Sequence, residues 1–332
     1  MSERLVLAGD IGGTKSNLGL FRGTADAPVA VVEQTYFNRE FGGLAEVGRR
    51  FLDEAGLAAD SACFGVAGTV VGGTSVLPNL GWTLSEAGLA QALGLESVLL
   101  VNDLEATALG LATLAPAQLH TLNPGRPRPG GNRALIAAGT GLGMAIIVSK
   151  GGQDRVLASE GGHMDFAPNG EIQAALLGYL AARYGHVSVE RVVSGPGLAN
   201  VYDFLQASGE TVPDWLTRRF ESIPDRSAVI AQAGLVGEAT ICVKALELFL
   251  SAYGAAAGNL ALLALATGGV YVGGGIAPRL IEALPTSGFM PAFIDKGRFA
   301  DLLTEVPVHI VMEPKTALRG AASHALRALE AQ

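Results

Sequence analysis

Cysteine is scarce in this sequence: Cys63 and Cys242 are the only two among 332 residues. Disulfide-stapled secreted domains and cysteine-rich metal sites both need several cysteines at close spacing. Two cysteines this far apart exclude both classes and suit a reducing compartment. Met1–Arg4 lead straight into the first predicted strand without the pattern of a signal peptide, so we expect a cytoplasmic protein.

Positive charge is also in short supply. Lysine and arginine together number 23 against 31 aspartates and glutamates, which gives a net charge of −8. Proteins that bind nucleic acid through its phosphates usually carry a basic patch, and no such patch is visible, so no nucleic-acid partner is expected. The net charge does not exclude a small anionic ligand, because backbone amides and a metal ion can bind such a ligand without net positive charge on the protein.

Charged residues are absent between Phe249 and Pro278, a stretch long enough to raise the question of a membrane span. Glycines such as Gly254 and Gly258 interrupt it. We therefore predict a buried helix over Leu235–Ala266 and then a buried strand over Val270–Val272, with no membrane partner.

Apolar residues are abundant, at 49% of the chain, which is enough for two well-packed domains. Apolar runs typical of strands alternate with segments of helical spacing such as Leu44–Ala55, and this alternation predicts an α/β protein with a mixed sheet. A strand–glycine turn–strand pattern at Gly9–Thr14 returns at Gly139–Gly143, so the second half echoes the first. Pro116–Gly131 is rich in proline and glycine and is predicted to be a loop.

The two glycine turns are candidate phosphate sites. In Asp10-Ile11-Gly12-Gly13-Thr14 an acid leads into a tight turn, whose N–H groups can hold phosphate while the acid holds magnesium through water. An ordinary Gly-Gly hairpin explains this motif equally well. Because Gly139-Thr140-Gly141-Leu142-Gly143 also follows a buried strand, the pair of turns favours a shared phosphate site.

A third glycine cluster, Gly273–Gly275, follows the strand predicted at Val270–Val272. A flat glycine surface at a strand end can admit a nucleoside. Close packing of a helix against the strand is the simpler explanation for this cluster alone.

Asn102-Asp103 stands at the end of a short buried strand. A carboxylate there can accept the proton of a hydroxyl group whose oxygen attacks phosphorus. Asp103 also precedes a helix predicted over Leu104–Leu114, and a helix N-cap is the plainer interpretation of it.

Further polar side chains come from Glu160-Gly161-Gly162-His163 and from Glu190. Carboxylates and an imidazole suit the vicinal hydroxyl groups of a sugar. Glu160, His163 and Asp165 are also metal-ligand types, but their spacing matches no zinc motif. For Glu190 the simpler explanation is a pair with His186, four residues earlier on a helix.

Taken together, these motifs resemble the bacterial glucokinases, zinc-free sugar kinases of the actin-like ATPase superfamily. The resemblance covers almost the whole chain, and its most specific stretches are Glu160–Pro168 and Glu190–Gly197. It implies a two-domain α/β, actin-like (ribonuclease H-like) ATPase fold with an interdomain cleft. It also implies ATP-dependent phosphorylation of D-glucose at the 6-hydroxyl group.

Carried over residue by residue, the resemblance implies Asp103 as the catalytic base. The sugar-binding residues would be Asn102, Asp103, Glu160, His163 and Glu190. The ATP-binding residues would be Gly9, Asp10, Ile11, Gly12, Gly13, Thr14, Gly139, Thr140, Gly141, Gly143, Gly273, Gly274 and Gly275. Asp10 would also hold Mg²⁺ through water.

The resemblance further implies a small α/β domain of residues 1–113 plus 315–332, a large α/β domain of residues 114–314, and a homodimer. Lys15 and Pro78–Trp82 are more like the related repressor-and-kinase sugar family, so a broader hexose range that includes mannose stays open. A non-catalytic sugar sensor on the same fold is a second alternative, although a pure sensor needs neither Asp10 nor Asp103. An actin-like ATPase that acts on proteins is a third.

Overall fold

The computed structural model describes residues 4–151 and 153–331. Two compact units are formed, one by the chain up to Gln118 together with the chain from Glu313 onward, the other by Leu119–Met312. The domain bounds expected from the sequence are not identical to this division and stay a prediction. Met1–Glu3, part of the segment behind the expectation about a signal peptide, lie outside the described residues.

The strands and helices of the described residues are numbered in chain order. The strands are β1 (Val6–Ile11), β2 (Lys15–Thr24), β3 (Ala27–Phe37), β4 (Ser61–Val66), β5 (Val70–Val71), β6 (Thr74–Leu77), β7 (Trp82–Ser85), β8 (Ser97–Asn102), β9 (Leu119–Asn123), β10 (Arg133–Ala138), β11 (Leu142–Lys150), β12 (Gln153–Ser159), β13 (Gly269–Gly273) and β14 (Val308–Val311). The helices are α1 (Leu44–Ala55), α2 (Glu86–Leu93), α3 (Asp103–Gly110), α4 (Gly170–Tyr184), α5 (Gly195–Ala207), α6 (Asp214–Ser222), α7 (Arg226–Leu235), α8 (Thr240–Ala264), α9 (Phe289–Ile294), α10 (Ala300–Glu305) and α11 (Thr316–Glu330).

The first unit is built on a five-stranded sheet in the order β3-β2-β1-β4-β8. The β1–β2 and β2–β3 pairs are antiparallel, whereas β1, β4 and β8 run parallel. Successive side chains of a strand face opposite sides of its sheet. Accordingly Val6 and Ala8 belong to a core cluster with Leu326 of α11, while Leu7 belongs to a second cluster with Phe51 of α1.

The second unit repeats this arrangement. Its six-stranded sheet has the order β12-β11-β10-β13-β14-β9. The β10–β11 and β11–β12 pairs are antiparallel, and β10, β13 and β14 run parallel. The echo predicted from the two glycine turns is therefore confirmed at the level of strand order and direction.

The long uncharged stretch forms α8 and β13, as predicted. Within the described residues α8 is the one helix long and apolar enough to cross a membrane, and 72% of its most apolar window is buried inside the protein. The predicted start of this helix is wrong. Helix α7 ends at Leu235, and a turn at Gly237, with φ of 70°, separates it from Thr240.

The loop predicted over Pro116–Gly131 contains an edge strand. Strand β9 pairs antiparallel with β14, with a register shift at Val308/His309. Its residues Leu119–Asn123 are only partly buried or exposed. The apolar alternation that reveals a strand is correspondingly weak there.

Candidate active site

In the first unit the predicted acids lie at one edge of the sheet. Asp10 is the fifth residue of β1 and is paired with Gly65 of β4, while Asn102 ends β8 and is paired with Val66. Because β1, β4 and β8 are parallel, their carboxyl ends meet at this edge. Asp10 and Asn102-Asp103 are thus brought to the same end of neighbouring strands.

Helix α3 begins at this edge, and a capping arrangement holds its first turn. The Asn102 side chain accepts a hydrogen bond from the Leu104 backbone N–H at 2.9 Å, and the Glu105 carboxylate is hydrogen-bonded to the Asn102 backbone. Such a reciprocal pair satisfies N–H groups that a helix start leaves free. Asn102 is therefore the N-cap, and the interpretation of Asp103 as the cap is wrong.

Asp103 is the first residue of α3, and its Oδ1 also accepts from Leu104 N at 2.8 Å. Burial raises the pKa of Asp103, and the negative charge of Asp10 raises it further, against the opposing effect of the Leu104 hydrogen bond. Burial likewise raises the pKa of Asp10, whose Oδ2 accepts from Asn17 Nδ2 at 3.3 Å. Two carboxylates that are costly to ionise thus face one site, as is common where acids do chemistry.

The first glycine turn is held by a buried asparagine. Asn38, only 2% exposed, donates from Nδ2 to Gly12 O at 2.7 Å, and its backbone N–H donates to Thr14 O at 2.9 Å. Its Oδ1 accepts from Ser16 Oγ at 2.7 Å. Gly13 and Thr14 at the tip are exposed, so the turn presents its backbone outward from a braced base.

The second and third glycine clusters lie side by side in the second unit. Tyr253 of α8 is fully buried; its hydroxyl accepts from Ala138 N at 3.2 Å and donates to Gly273 O at 3.5 Å. Ile276 N donates to Ala138 O at 3.3 Å. The turn that starts at Gly139 and the cluster Gly273–Gly275 are therefore joined through one tyrosine and one carbonyl group.

The segment Glu160–His163 packs on the start of β11, directly after the second turn. A Cβ atom added at Gly162 would lie 1.9 Å from Leu142 O, so only glycine allows this approach. His163 N donates to Glu160 O at 3.0 Å and closes a short 3₁₀ turn. Both side chains are exposed, and the turn keeps them on one short segment beside the glycine turn.

Glu190 also lies against the second turn. Its Oε2 accepts from Leu142 N at 2.8 Å. The alternative pairing of Glu190 with His186 is wrong, because His186 Nε2 lies 2.8 Å from Asp165 Oδ1 instead. Val189 N donates to Met164 O at 2.9 Å, which ties the segment of Glu190 to that of His163.

The predicted residues thus form one group in each unit. The first unit brings together Asp10, the turn at Gly12–Thr14, Asn102 and Asp103; the second brings together Glu160, His163, Glu190, Gly139–Gly143 and Gly273–Gly275. Sequence reasoning missed Glu105, Asn38 and Tyr253. The capping pattern of Asn102 and Glu105 is visible in the sequence, whereas Asn38 and Tyr253 act on backbone groups far along the chain and leave no local pattern.

No group of three or more histidine, cysteine, aspartate or glutamate side chains that could hold a metal ion occurs within residues 4–151 and 153–331. Magnesium is usually held by one or two carboxylates, with water and substrate phosphates as its other ligands. The oxygen donors of Asp10 and Asp103 at one sheet edge fit that ion.

The family model described as Glucokinase matches residues 7–328. The chain belongs to the glucokinase family. A curated relative named Glucokinase from Nostoc punctiforme (strain ATCC 29133 / PCC 73102) is 40% identical over 339 positions, which cover 97% of this chain and 99% of the relative.

Solved structures agree with this family. The crystal structure of glucokinase from an Antarctic psychrotroph is 32% identical, with a TM-score of 0.87, and the match covers 97% of this chain and 99% of that one. A ROK family glucokinase from Streptomyces griseus, in complex with glucose and AMPPNP, has a TM-score of 0.65 at 20% identity and covers 97% and 99%. The expected actin-like ATPase fold is confirmed.

Proposed function

We propose that this glucokinase family member transfers the γ-phosphoryl group of ATP to the 6-hydroxyl group of D-glucose, giving glucose 6-phosphate and ADP. The observation that carries the proposal is the placement of Asp103 at the start of α3, beside Asp10 and at the same sheet edge. The relative from Nostoc punctiforme is named a glucokinase, and the Streptomyces griseus structure contains glucose and AMPPNP. Both support this choice of substrates.

Asp103 acts as the general base. Its carboxylate takes the proton of the 6-hydroxyl group while the hydroxyl oxygen forms a bond to the γ-phosphorus atom. The bond between that phosphorus and the bridging oxygen breaks, and ADP leaves with the electron pair. The raised pKa of Asp103 makes its carboxylate a better proton acceptor than an ordinary aspartate.

Magnesium belongs to this proposal through Asp10, which would hold the ion through water. Asp103 lies close enough to Asp10 for the charge of Asp10 to raise its pKa. When bound, Mg²⁺ neutralises charge on the phosphates of ATP. Asn17 and the buried backbone of β1 keep the Asp10 carboxylate oriented at the sheet edge.

The binding roles follow the two groups of residues. Asn102, Asp103, Glu160, His163 and Glu190 would bind the sugar hydroxyl groups. The turns at Gly9–Thr14 and Gly139–Gly143 would hold the phosphates through backbone N–H groups, and Gly273–Gly275 would lie on the adenosine side. We further propose a cytoplasmic homodimer, in line with the resemblance.

The test is an assay of hexose phosphate formation with glucose, mannose, galactose and fructose as acceptors and with ATP, ADP and polyphosphate as donors. ADP release is followed as well when ATP is the donor. We expect ATP-dependent turnover that needs glucose and is strongest with it. Comparable rates with mannose would instead establish the broader hexose range. Sugar binding without ADP release would establish a sensor. ADP release from ATP at the same rate with and without each sugar would overturn the proposed kinase activity.

A further inference from the structure

Glu190 touches the proposed phosphate turn directly. Its Oε2 accepts from Leu142 N at 2.8 Å, and a Cβ atom added at Gly141 would lie 2.6 Å from the same oxygen. The carboxylate therefore lies against Gly141, and a side chain at position 141 would displace it from this contact. This contact is not required of a residue that serves only to bind a sugar.

Glu190 is one of the groups that hold this turn in place. Gly139 O accepts from Gly195 N at 2.8 Å, which ties the first residue of the turn to the start of α5. The Glu190 side chain ties the other end, where the turn enters β11 at Leu142. The backbone of Glu190 is itself anchored, since its carbonyl accepts from Ser194 Oγ at 2.8 Å.

We propose that Glu190 is a positioning residue that couples sugar binding to nucleotide binding. One carboxylate oxygen holds the phosphate turn through Leu142 N, and the other accepts a hydrogen bond from a sugar hydroxyl group. A sugar that fixes the Glu190 carboxylate thereby fixes the turn for the phosphates of ATP, and bound ATP in turn favours the sugar. The inference rests on the proposed function for the identity of both ligands.

The consequence is a reciprocal, positive coupling, since a coupling free energy acts equally on both ligands. It makes two unusual predictions. A sugar-binding residue should affect the affinity for nucleotide, and a glycine of the phosphate turn should affect the affinity for glucose.

The experiment measures binding by titration calorimetry on the full chain, with glucose and with AMPPNP and Mg²⁺, each alone and with the other saturating. Saturating glucose should tighten AMPPNP binding by about fivefold or more in the native protein. In Glu190→Ala, which removes both carboxylate oxygens, that ratio should fall close to one, whereas Glu190→Gln, whose amide oxygen can still accept from Leu142 N, should keep part of the coupling. In Glu190→Ala, AMPPNP alone should bind about tenfold more weakly, the effect expected for loss of a hydrogen bond to a charged group.

Two glycine variants supply a matched pair within one turn. Gly141→Ala displaces the carboxylate and should weaken glucose binding about tenfold even without nucleotide. A Cβ atom at Gly139 meets nothing within 4 Å, so Gly139→Ala should leave the affinity for glucose alone unchanged. Circular dichroism melting shows whether each variant is folded.

Unchanged glucose affinity in a folded Gly141→Ala variant would overturn the proposal, as would full coupling in Glu190→Ala or negative coupling in the native protein. Because binding is measured without turnover, the proposed function is judged separately. A protein that phosphorylates glucose but shows no coupling loses this inference alone. A protein that binds both ligands with coupling but releases no ADP loses the proposed reaction instead.

Discussion

Two features of the folded protein make the ionised form of Asp103 unfavourable. They are its burial and the nearby negative charge of Asp10, and both raise its pKa. For an acid whose folded-state pKa lies above its unfolded value, the folded state holds the proton more tightly. The stability from this group is then present at low pH and is lost as the pH rises through the raised pKa. At neutral pH the ionised carboxylate consequently destabilises the fold, which is the cost in stability expected if Asp103 is the general base.

Asp103→Asn should therefore separate stability from activity. We expect ADP release to fall by about 10²- to 10⁴-fold, because the amide cannot accept the hydroxyl proton. Glucose should still bind, since asparagine keeps the shape and hydrogen-bonding ability of the side chain. Thermal melting at pH 7 without ligands should give a higher Tm than that of the native chain. Near-native turnover would show that another group is the base.

Asn38 allows a test of the first turn that leaves the turn's own sequence intact. Asn38→Ala removes the donor to Gly12 O, which is partly buried, and the acceptor for Ser16 Oγ, which is buried. A buried polar group left without its partner costs about 1–3 kcal/mol, so we expect lower stability together with a raised KM for ATP.

The matched control for Asn38→Ala is Ser16→Ala, which removes one bond of the same network but leaves the bond to Gly12 O. It should change the KM for ATP less than Asn38→Ala does, while the KM for glucose stays within about twofold in both variants. A folded Asn38→Ala variant with a native KM for ATP would contradict a role for this turn in nucleotide binding.

At the scale of elements, the sequence predicts helices that carry clear end signals. Helix α1 has the predicted bounds Leu44–Ala55, and Gly56 ends it with a φ of 63°. Strand β9 is missed because it is an edge strand with little buried apolar surface. The start of α8 is misplaced because its apolar pattern runs on from α7 through Gly237, and only the backbone turn there separates the two helices.

The end of α8 carries a strained residue. Leu265 takes a φ of 45°, and it is the one residue other than glycine with a positive φ in the described ranges. Leu265 is 57% exposed, so little packing offsets the strain. Left-handed backbone costs an L-residue about 1–2 kcal/mol, and glycine avoids this cost at some expense of unfolded-state entropy.

Leu265→Gly should stabilise the protein by about 0.5–1 kcal/mol, measured as an upward shift of Tm by about 2 °C. Leu265→Ala is the control, because it removes the same exposed side chain and keeps a Cβ atom at positive φ. We expect no gain from alanine. Equal gains from both variants would assign the effect to the exposed leucine side chain and not to the backbone.

At the scale of the whole molecule, the sequence predicts that the two halves of the chain share a similar arrangement of strands, because each half carries its own glycine turn between strands. The sequence also predicts which polar residues are candidates for the site, through motifs such as Glu160-Gly161-Gly162-His163. It does not show that Gly162 lies too close to the backbone carbonyl of Leu142 for any side chain, or that Gly141 lies against the carboxylate of Glu190. Such contacts join residues about 20 to 50 positions apart, beyond the reach of local patterns.

Each unit has its own apolar core, which makes separate unfolding steps the expectation for the free protein. The clusters around Leu7 and Val6 lie in the first unit, and the cluster around Ile136 lies in the second. Proteins with several domains commonly depart from two-state unfolding. Differential scanning calorimetry should thus resolve more than one component without ligands.

Glucose provides a test of whether both units serve one sugar, as the proposed function requires. At 100 times its Kd, a ligand that binds only the folded state adds about 2.7 kcal/mol of stability. If Asn102 and Asp103 of the first unit and Glu160, His163 and Glu190 of the second bind the same glucose molecule, unfolding either unit releases it. Glucose should then raise both components in calorimetry and bring them together, whereas Glu160→Ala should lose most of that shift at the same glucose concentration. A shift confined to one component would mean that a single unit binds the sugar, because the other unit would unfold without releasing it.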